Sequence, residues 1–247
     1  MKIAVTGATG FLGWYIVSHL TARGHQCRCW YRPTSSRDGF ESFEQQIEWV
    51  PGRLGDRQAG VGRFVFVSTC AVHEVILDDR PLDETHPTWA ASHYGAHKAA
   101  IEQFVYSYGL GGGYPICALR PTGIYGLARP AQDSKWFGLV QAVAQGEPVE
   151  CRGGGKEVHA ADVARAVEIL MTAEGIAGQV YNCYDLYVSQ YDVATTAKRL
   201  AGGRSEIHGS LSTPKHQIVT EKLRRLGMEF GGRPLLEQTI RQMLDAL

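Results

Sequence analysis

The chain has 247 residues, 44% of them hydrophobic, with 25 Lys and Arg balanced by 25 Asp and Glu. This length suits one large α/β domain or a nucleotide-binding domain with a small appendage. Without a basic excess we expect no nucleic-acid partner and no attachment to an anionic membrane. No run approaches the ~18 to 20 apolar residues of a membrane span, and no leader precedes the first strand, so we expect a cytoplasmic protein.

Strands and helices alternate over the first half of the chain. KIAVTGATG predicts a strand that runs into glycines, FLGWYIVSHLTARG a helix, and QCRCWYR and IEWV two more strands. They are followed by the strand RFVFVST, the helix SHYGAHKAAIEQFVYSYG and the strand PICALRP. This alternation predicts an α/β fold, a doubly wound parallel (Rossmann) sheet with helices on both faces.

The pattern changes from Asp133 onwards. SKWFGLVQAVAQGE predicts a helix, RGGGKE a Gly-rich turn, AADVARAVEILMTA a helix and QVYNCY a strand. Further helices are predicted to begin near Gln190, Glu221 and Pro234. We expect a small, mainly helical C-terminal lobe at the edge of the sheet, where a substrate cleft can form.

The segment TGATGFLG places three glycines between the first strand and the first helix. Gly7 permits a tight turn, Gly10 lets the backbone approach a pyrophosphate, and Gly13 allows close packing of helix on strand. The free N–H groups of the helix N-terminus favour bound phosphates. The segment therefore predicts a dinucleotide site, which includes Phe11 and Leu12.

In YGAHK, Tyr94 and Lys98 are four residues apart, on one face of a predicted helix. A phenol is a poor base at neutral pH, but a nearby cation lowers a phenol pKa, so the pair suits proton transfer. The alternative is an amphipathic helix that carries an unrelated Tyr and Lys. Upstream, Ser68 and Thr69 end a predicted strand, and either hydroxyl could bond a substrate oxygen at the ligand edge of the sheet.

Five segments together resemble the extended short-chain dehydrogenase/reductase superfamily of NAD(P)-dependent sugar epimerases and dehydratases. These are the glycine array, VFVSTCAVH, YGAHK, LRPTGIYG and EVHAADVARAV. The resemblance implies that Thr69 orients the substrate, that Tyr94 is the acid/base, and that Lys98 perturbs Tyr94 and binds the ribose. It also implies that Pro121 passes close to the nicotinamide, and the cofactor contacts are completed by Leu54.

The resemblance implies an NAD(P)-dependent oxidoreductase or epimerase that acts on a secondary alcohol or carbonyl of a sugar or sugar nucleotide. An NADP(H)-dependent carbonyl reductase of small molecules and a non-catalytic NAD(P)-binding regulator are the alternatives. Family 4,6-dehydratases carry Asp-Glu where this chain has Cys70 and Ala71, which argues against dehydration. His73 stands where many relatives have Tyr, and Arg53 where an Asp often touches the adenine.

Tyr31 occupies the position where NAD sites of this fold usually place Asp or Glu, and Arg32 follows it. The guanidinium of Arg32 can bind a 2′-phosphate, with Ser35, Ser36 and Arg37 close behind. We therefore expect NADP or NAD, with NADP preferred. The alternatives are a solvated Arg32, or a phosphate bound by Arg53 instead.

The remaining polar residues suggest no further site. The six cysteines show no ligand spacing and are interpreted as reduced, buried side chains. His73, His93, His97 and His159 are interpreted as loop residues, and no metal is expected. Arg129 and Lys135 could hold a phosphate or carboxylate, although solvated surface charge is the simpler interpretation.

One connection is too short for this fold. IEWV and RFVFVST would be the third and fifth strands of a sheet ordered 3-2-1-4-5-6, about 27 Å apart along the crossover. Residues 54–61 span at most about 28 Å when fully stretched, and they would also have to cross a helix layer. We therefore predict that a central segment of one to two strand-helix units is missing near residues 56–62, around Ala59 and Gly60. The alternative is a truncated protein with a rearranged sheet.

These assignments divide the chain into two parts. Residues 1–130 form the dinucleotide-binding Rossmann domain, to which 157–185 return, whereas 131–156 and 186–247 form the substrate-binding lobe. Relatives commonly dimerise through the Tyr-bearing helix, whose apolar stripe here is Ile101, Phe104, Val105 and Tyr108. The expected partners are a small-molecule substrate and a second copy in a homodimer.

Overall fold

A computed structural model describes residues 1–52, 62–76 and 80–247. The strands are β1 (Lys2–Thr6), β2 (Gln26–Tyr31), β3 (Ile47–Pro51), β4 (Phe64–Val67), β5 (Ile116–Pro121), β6 (Gly123–Tyr125), β7 (Val149–Cys151), β8 (Gly154–His159), β9 (Gln179–Cys183), β10 (Leu186–Ser189) and β11 (Ile207–Gly209). The helices are α1 (Phe11–Ala22), α2 (His93–Tyr106), α3 (Phe137–Ala144), α4 (Ala160–Thr172), α5 (Gln190–Ala201), α6 (Glu221–Arg224) and α7 (Gly232–Asp245).

Two parallel three-stranded sheets form the nucleotide-binding part of the chain. In the first, β2 lies between β1 and β3, and in the second, β5 lies between β4 and β9. The first sheet has the predicted order 3-2-1, whereas the second begins at β4, the predicted fifth strand, and no described strand occupies the predicted fourth position. The structure confirms the α/β fold with parallel, Rossmann-like sheets.

The two parallel sheets do not pair with each other through any described strand. Among the described residues, β1 pairs only with β2 and β4 only with β5. The segment predicted to be missing, near Ala59 and Gly60, lies outside the described residues. That a segment is missing there remains a prediction. It agrees with the finding that β1 and β4 do not pair with each other or with a described strand between them.

The largest core lies between the sheets and the helices α1 and α4. Alternate residues of β1 and β2 enter it, because side chains of a strand point alternately to opposite faces. Val17, Leu20 and Leu170 are buried completely in this cluster. The apolar residues of α1 recur at helical spacing, so they lie on one face of the helix and pack it against β1.

The predicted C-terminal lobe, residues 131–156 and 186–247, contains the helices α3, α5, α6 and α7 and also short strands, some of which pair with strands outside these ranges. β8 pairs with β6 and β10, and β7 pairs with β11. Part of the predicted Gly-rich turn is therefore the start of β8. Gly154 suits that strand because a Cβ there would lie 2.6 Å from the carbonyl oxygen of Val188. A second core lies here, and it combines Tyr125 of β6 with Phe137 and Ile240 of the lobe helices.

Two predicted helices end or begin differently in the structure. The helix predicted from Ser134 begins at Phe137, because Trp136 has a left-handed backbone with φ of 72°. The Tyr-bearing helix ends at Tyr106 and continues as a π-helical turn over Ser107–Gly111. Gly109 fits this turn because a Cβ there would meet the nitrogen of Gly178 at 1.9 Å.

His159 is predicted to make the stability of this fold fall with falling pH. It was expected in a loop, but it is buried at the start of α4, where Nδ1 accepts a hydrogen bond from the Ala161 N–H. Burial lowers the pKa of His159 from 6.5 to about 4. The unfolded chain therefore binds a proton between pH 6.5 and 4 that the folded chain does not. Stabilisation of up to about 3 kcal/mol is lost as the pH falls through this window.

Urea unfolding at pH 7.5 and pH 4.5 would measure this effect. We expect His159→Asn, which keeps an N-cap acceptor, to have a smaller difference in unfolding free energy between the two pH values than the wild type. His208→Asn serves as the control, since the His208 side chain is 55% exposed. An equal pH dependence in wild type and His159→Asn would contradict the prediction.

Candidate functional site: the glycine loop and the start of α2

The glycine array forms the turn between β1 and α1. Gly7 has φ of 70°, and its carbonyl accepts a hydrogen bond from the Gly10 N–H at 3.1 Å. A Cβ on Gly13 would lie 2.0 Å from the Gly7 oxygen, so only glycine permits this packing of α1 on the turn. Around a Cβ placed on Gly10, the Gly7 oxygen is the one atom closer than 4 Å, at a distance of 3.4 Å. The space beside Gly10 is therefore open to a ligand.

The N-terminus of α1 fits the phosphates of a dinucleotide. Its first turn contains no acidic residue that would oppose an anion at the helix end, although Asp38 and Asp133 line the adjoining cleft. Thr9, Gly10 and Phe11 line a cleft of about 620 Å³ that is also lined by Arg129. Phe11 is 40% exposed and Leu12 is partly buried. The residues assigned to the cofactor in this turn thus lie together around an open cleft.

The loop after β2 carries two arginines with different surroundings. Arg32 is exposed, and it forms no ion pair with any residue that the structure describes. Arg37 lies against the rings of Tyr31 and Trp49, with Cζ 5.0 and 5.7 Å from the ring centroids. Arg32 is therefore available to a ligand, whereas Arg37 is held by aromatic contacts that the sequence did not reveal. Leu54 and Arg53 lie outside the described residues.

Ser68 and Thr69 have different roles at the end of β4. Ser68 is 3% exposed, and its hydroxyl donates a hydrogen bond to the Glu102 carboxylate at 2.5 Å. Thr69 is half-buried, and its Oγ1 accepts a hydrogen bond from the Ala71 N–H at 3.1 Å. The hydroxyl proton of Thr69 is thus left for another acceptor. Of the two hydroxyls, the geometry favours Thr69 for contact with a substrate.

The loop after Thr69 is attached to the first turn of α2. Glu74 accepts hydrogen bonds from the backbone N–H groups of Ala91 and Ser92, both at 2.6 Å, and from the Ser92 hydroxyl at 2.8 Å. These bonds, chiefly that from the Ser92 backbone, lower the pKa of Glu74. A Cβ on Gly95 would lie 2.6 Å from the Ala71 oxygen. The glycine after Tyr94 therefore lets α2 approach the backbone that carries Thr69.

Tyr94 and Lys98 lie on one side of α2, as their spacing predicts. Tyr94 is 58% exposed, and the Lys98 Nζ lies 5.8 Å from the centroid of its ring. Nζ also donates a hydrogen bond to the Val67 carbonyl at 2.8 Å. This carbonyl faces the edge of β4 away from β5, because the following N–H, that of Ser68, bonds to Leu119 of β5.

Burial lowers the pKa of Lys98, and the nearby Glu102 carboxylate opposes this effect. Glu102 follows Lys98 by four residues and is fully buried, as is Arg120 of β5, with which it forms an ion pair. Sequence reasoning did not single out this pair. Its only signal was an acidic residue on the same helix face as Tyr94 and Lys98, one turn after Lys98.

His73 is a buried partner of Arg120 rather than a loop residue. Arg120 Nη1 lies 3.1 Å from His73 Nε2, and His73 Nδ1 lies 3.1 Å from the Pro87 oxygen. Burial, with Arg120 beside it, lowers the pKa of His73 from 6.5 to about 4. The ring is therefore neutral, with Nε2 as acceptor and Nδ1–H as donor. His93 and His97 are exposed on α2.

The other residues considered from sequence have structural partners. Pro121 is buried at the end of β5, and the thiol of Cys70 donates to the Arg120 oxygen. All six cysteines are free, and Cys70 is the one that is only partly buried. Lys135 forms an ion pair with the buried Glu157, and the Arg129 Cζ lies 3.2 Å from the Trp14 ring centroid. Neither cation is a merely solvated charge.

The sequence matches the profile of the NAD dependent epimerase/dehydratase family over residues 3–59 and 53–183. The chain belongs to this family. The two matched segments meet at residues 53–59, where the short connection lies. Family membership agrees with the glycine turn and the Thr69, Tyr94 and Lys98 arrangement described above.

Individual relatives support the same assignment. The chain is 31% identical over 131 residues to a dTDP-D-glucose 4,6-dehydratase of Mus musculus, covering 51% of this chain and 36% of the relative. The human dTDP-D-glucose 4,6-dehydratase is 29% identical over 131 residues, which again cover 51% of this chain and 36% of the relative. The matches thus span about a third of the length of these family members.

Solved structures of family enzymes share the fold. A UDP-glucose 4-epimerase from Thermotoga maritima, solved with UDP-glucose, superposes with a TM-score of 0.76 at 18% identity, covering 100% of this chain and 98% of the other. A dTDP-glucose 4,6-dehydratase from Bacillus anthracis, in complex with NAD, gives 0.77 at 17% identity, with coverages of 100% and 96%. At these identities the likeness concerns the fold.

Metal-binding clusters and membrane-spanning helices are both absent from the described part of the chain. No group of three or more His, Cys, Asp or Glu side chains is placed there to hold a metal ion. Likewise, within the described ranges, no helix is both long and apolar enough to cross a membrane.

Gly13→Ala is predicted to destabilise the protein by more than about 2 kcal/mol and to weaken NAD(H) binding, because the added methyl overlaps the Gly7 backbone. Gly138→Ala is the matched control, since a Cβ there has nothing within 4 Å. It lies in α3 and should stabilise the protein by up to about 1 kcal/mol. Thermal unfolding and fluorescence titration with NADH would measure both effects. Equal stability of the two variants would refute the steric argument.

Proposed function

We propose that this chain is an NAD(P)-dependent oxidoreductase or epimerase that transfers a hydride between nicotinamide and a secondary alcohol or carbonyl of a sugar or sugar nucleotide. The observation that carries the proposal is the contact between α2 and the Thr69 loop. Gly95 allows this contact, which brings the helical turn that carries Tyr94 against Ala71, two residues after Thr69, while Lys98 bonds to the Val67 carbonyl of β4. The UDP-glucose of the Thermotoga maritima epimerase supports the substrate class.

The proposed chemistry assigns one task to each side chain. The Thr69 hydroxyl donates to the substrate oxygen, while its Oγ1 stays oriented by the Ala71 N–H. The phenol oxygen of Tyr94 takes the proton from that substrate oxygen, or returns it. Lys98 supplies positive charge beside Tyr94 and reaches the ribose of the cofactor. When bound, the nicotinamide supplies the hydride acceptor or donor next to Pro121.

Within the family, we propose epimerase or reductase chemistry rather than dehydration. Removal of water needs an acid and a base beside the active hydroxyl, and dehydratases of the family carry Asp-Glu there. This chain has Cys70 and Ala71 instead. Burial raises the pKa of the Cys70 thiol to about 12, so Cys70 cannot replace the missing carboxylic acid at neutral pH.

Tyr94→Phe should lower kcat by a factor of about 10² to 10⁴, because it removes the proton-transfer oxygen. Since Tyr94 is 58% exposed, the variant should unfold at the same temperature as the wild type. A screen of sugar nucleotides, sugars and small carbonyl compounds, followed by nicotinamide absorbance, measures the loss. Tyr108→Phe, on the exposed part of the π-helical turn, is the matched control. Turnover by neither wild type nor variant on any compound would favour the non-catalytic regulator.

We further propose a preference for NADP(H). It is supported by the exposed Arg32 and by Tyr31, which stands where NAD sites of this fold usually carry an acidic residue. A charged hydrogen bond to the 2′-phosphate should favour NADPH over NADH by about 10- to 150-fold. Arg32→Ala should remove most of this ratio, measured as two dissociation constants by fluorescence. Arg28→Ala, whose guanidinium pairs with Glu48 at 3.2 Å, should leave the ratio unchanged. Tighter NADH binding by the wild type would overturn the preference.

A homodimer formed through α2 is also proposed. Of the predicted stripe, Val105 is buried in the core, whereas Ile101, Phe104 and Tyr108 are 41%, 62% and 59% exposed. Three large apolar side chains on one helix surface agree with an interface. Solution scattering at micromolar concentration should give twice the chain mass for wild type and the chain mass for Phe104→Glu. A monomeric wild type would contradict the dimer.

A further inference from the structure

A buried polar cluster lies beneath the proposed catalytic residues. Its members are Ser68, His73, Glu102 and Arg120, and none is more than 6% exposed. Glu102 accepts from the Ser68 hydroxyl at 2.5 Å and from Arg120 Nε at 3.0 Å and Nη2 at 2.5 Å. Arg120 Nη1 donates to the neutral ring of His73. We call these four residues the Glu102 cluster.

Each bond of the Glu102 cluster connects a different pair of elements. Glu102 joins α2 to the end of β4 through Ser68 and to β5 through Arg120. Arg120 joins β5 to the short 3₁₀ turn after Thr69 through His73. The cluster thus bonds together the elements that carry the proposed site.

Three members of the cluster are close neighbours of proposed site residues. Ser68 directly precedes Thr69, Arg120 directly precedes Pro121, and Glu102 lies one helical turn after Lys98. On α2, residues four apart share a face, so bonds that hold Glu102 in place also hold the helical turn that carries Lys98. A shift at any of these bonds would therefore move a residue that contacts the substrate or cofactor.

Stability alone does not account for a buried ion pair of this kind. Removing two charges from water costs several kcal/mol per ion, and well-packed apolar residues of similar volume often give equal or greater stability. Charged hydrogen bonds differ from apolar contacts in having defined lengths and directions. Such bonds suit a site in which a hydroxyl and a phenol must meet one substrate while an ammonium stays beside the phenol and the cofactor ribose.

We propose that the Glu102 cluster is a positioning network that holds Thr69, the Tyr94–Lys98 face of α2 and Pro121 in their mutual arrangement. Its four members contact one another and the protein interior rather than the reacting atoms. The proposal deepens the proposed function and rests on it. It adds Ser68, His73, Glu102 and Arg120 to the residues on which turnover depends.

Ser68→Ala tests the network, with Ser205→Ala as its matched control. Ser205 is also fully buried and donates its hydroxyl to a backbone oxygen, that of Glu147, within the C-terminal lobe. We expect Ser68→Ala to lower kcat by about tenfold, with the KM and the NADPH dissociation constant within twofold of wild type. Ser205→Ala should lower stability similarly but leave kcat unchanged. An unchanged kcat in Ser68→Ala, or an equal loss in Ser205→Ala, would overturn the proposal.

An NMR measurement distinguishes failure of the network from failure of the proposed function. The ε-methylene signal of Lys98 is titrated with pH in wild type, Ser68→Ala, Ser205→Ala and Glu102→Gln. We expect Glu102→Gln to lower the Lys98 pKa relative to wild type, and Ser68→Ala, but not Ser205→Ala, to shift the Lys98 signal. If these results hold while wild type turns over no substrate, the enzyme proposal fails and the network stands. A Lys98 signal unaffected by both Ser68→Ala and Glu102→Gln refutes the network, whatever the turnover.

Discussion

The ion pair between Glu102 and Arg120 determines how α2 lies against the parallel sheet. Both side chains are completely buried, so neither charge can be left without the other at a tolerable cost. Because Arg120 belongs to β5, the central strand of its sheet, α2 has one register in which Glu102 reaches it. That register places Gly95 against Ala71 and Lys98 against the edge of β4. The candidate site is a consequence of this single helix position.

The C-terminal lobe is joined to the sheet at the same strand. Pro121 ends β5, and two residues later Gly123 begins β6, which pairs with β8, the partner strand of β10 in the lobe. The start of α7 is attached in turn by two carboxylates, since Asp162 accepts from the Gly231 N–H and Asp185 from the Gly232 N–H. Burial raises the pKa of both, that of Asp185 to about 6. The lobe is thus fixed by directional bonds near the strand end that is expected to contact the nicotinamide.

The local elements were predicted well where one residue type has one physical role. Gly7 and Gly13 are required by a positive φ and by a 2.0 Å contact, and both follow from the spacing of the glycines. Prediction was poorer where a partner from another element decides the outcome. The glycines of RGGGKE suggest a turn, yet Gly154 and Gly155 enter β8 because β10 supplies a neighbouring strand. His159 resembles a loop residue until α4 supplies the N–H groups that it caps.

The sequence by itself determined the α/β class, the dinucleotide turn, and the shared face of Tyr94 and Lys98. These features depend on residues close in the chain, whose geometry is set by backbone sterics and helix periodicity. Only the tertiary structure decided that Ser68 is directed to Glu102 and Thr69 is not, and that Arg120 and His73 complete a buried cluster. Glu102 and Arg120 are 18 residues apart, and Ser68 is 34 residues from Glu102. No local pattern specifies such pairings, because the cost of burying a charge arises only when the sheet and α2 come together.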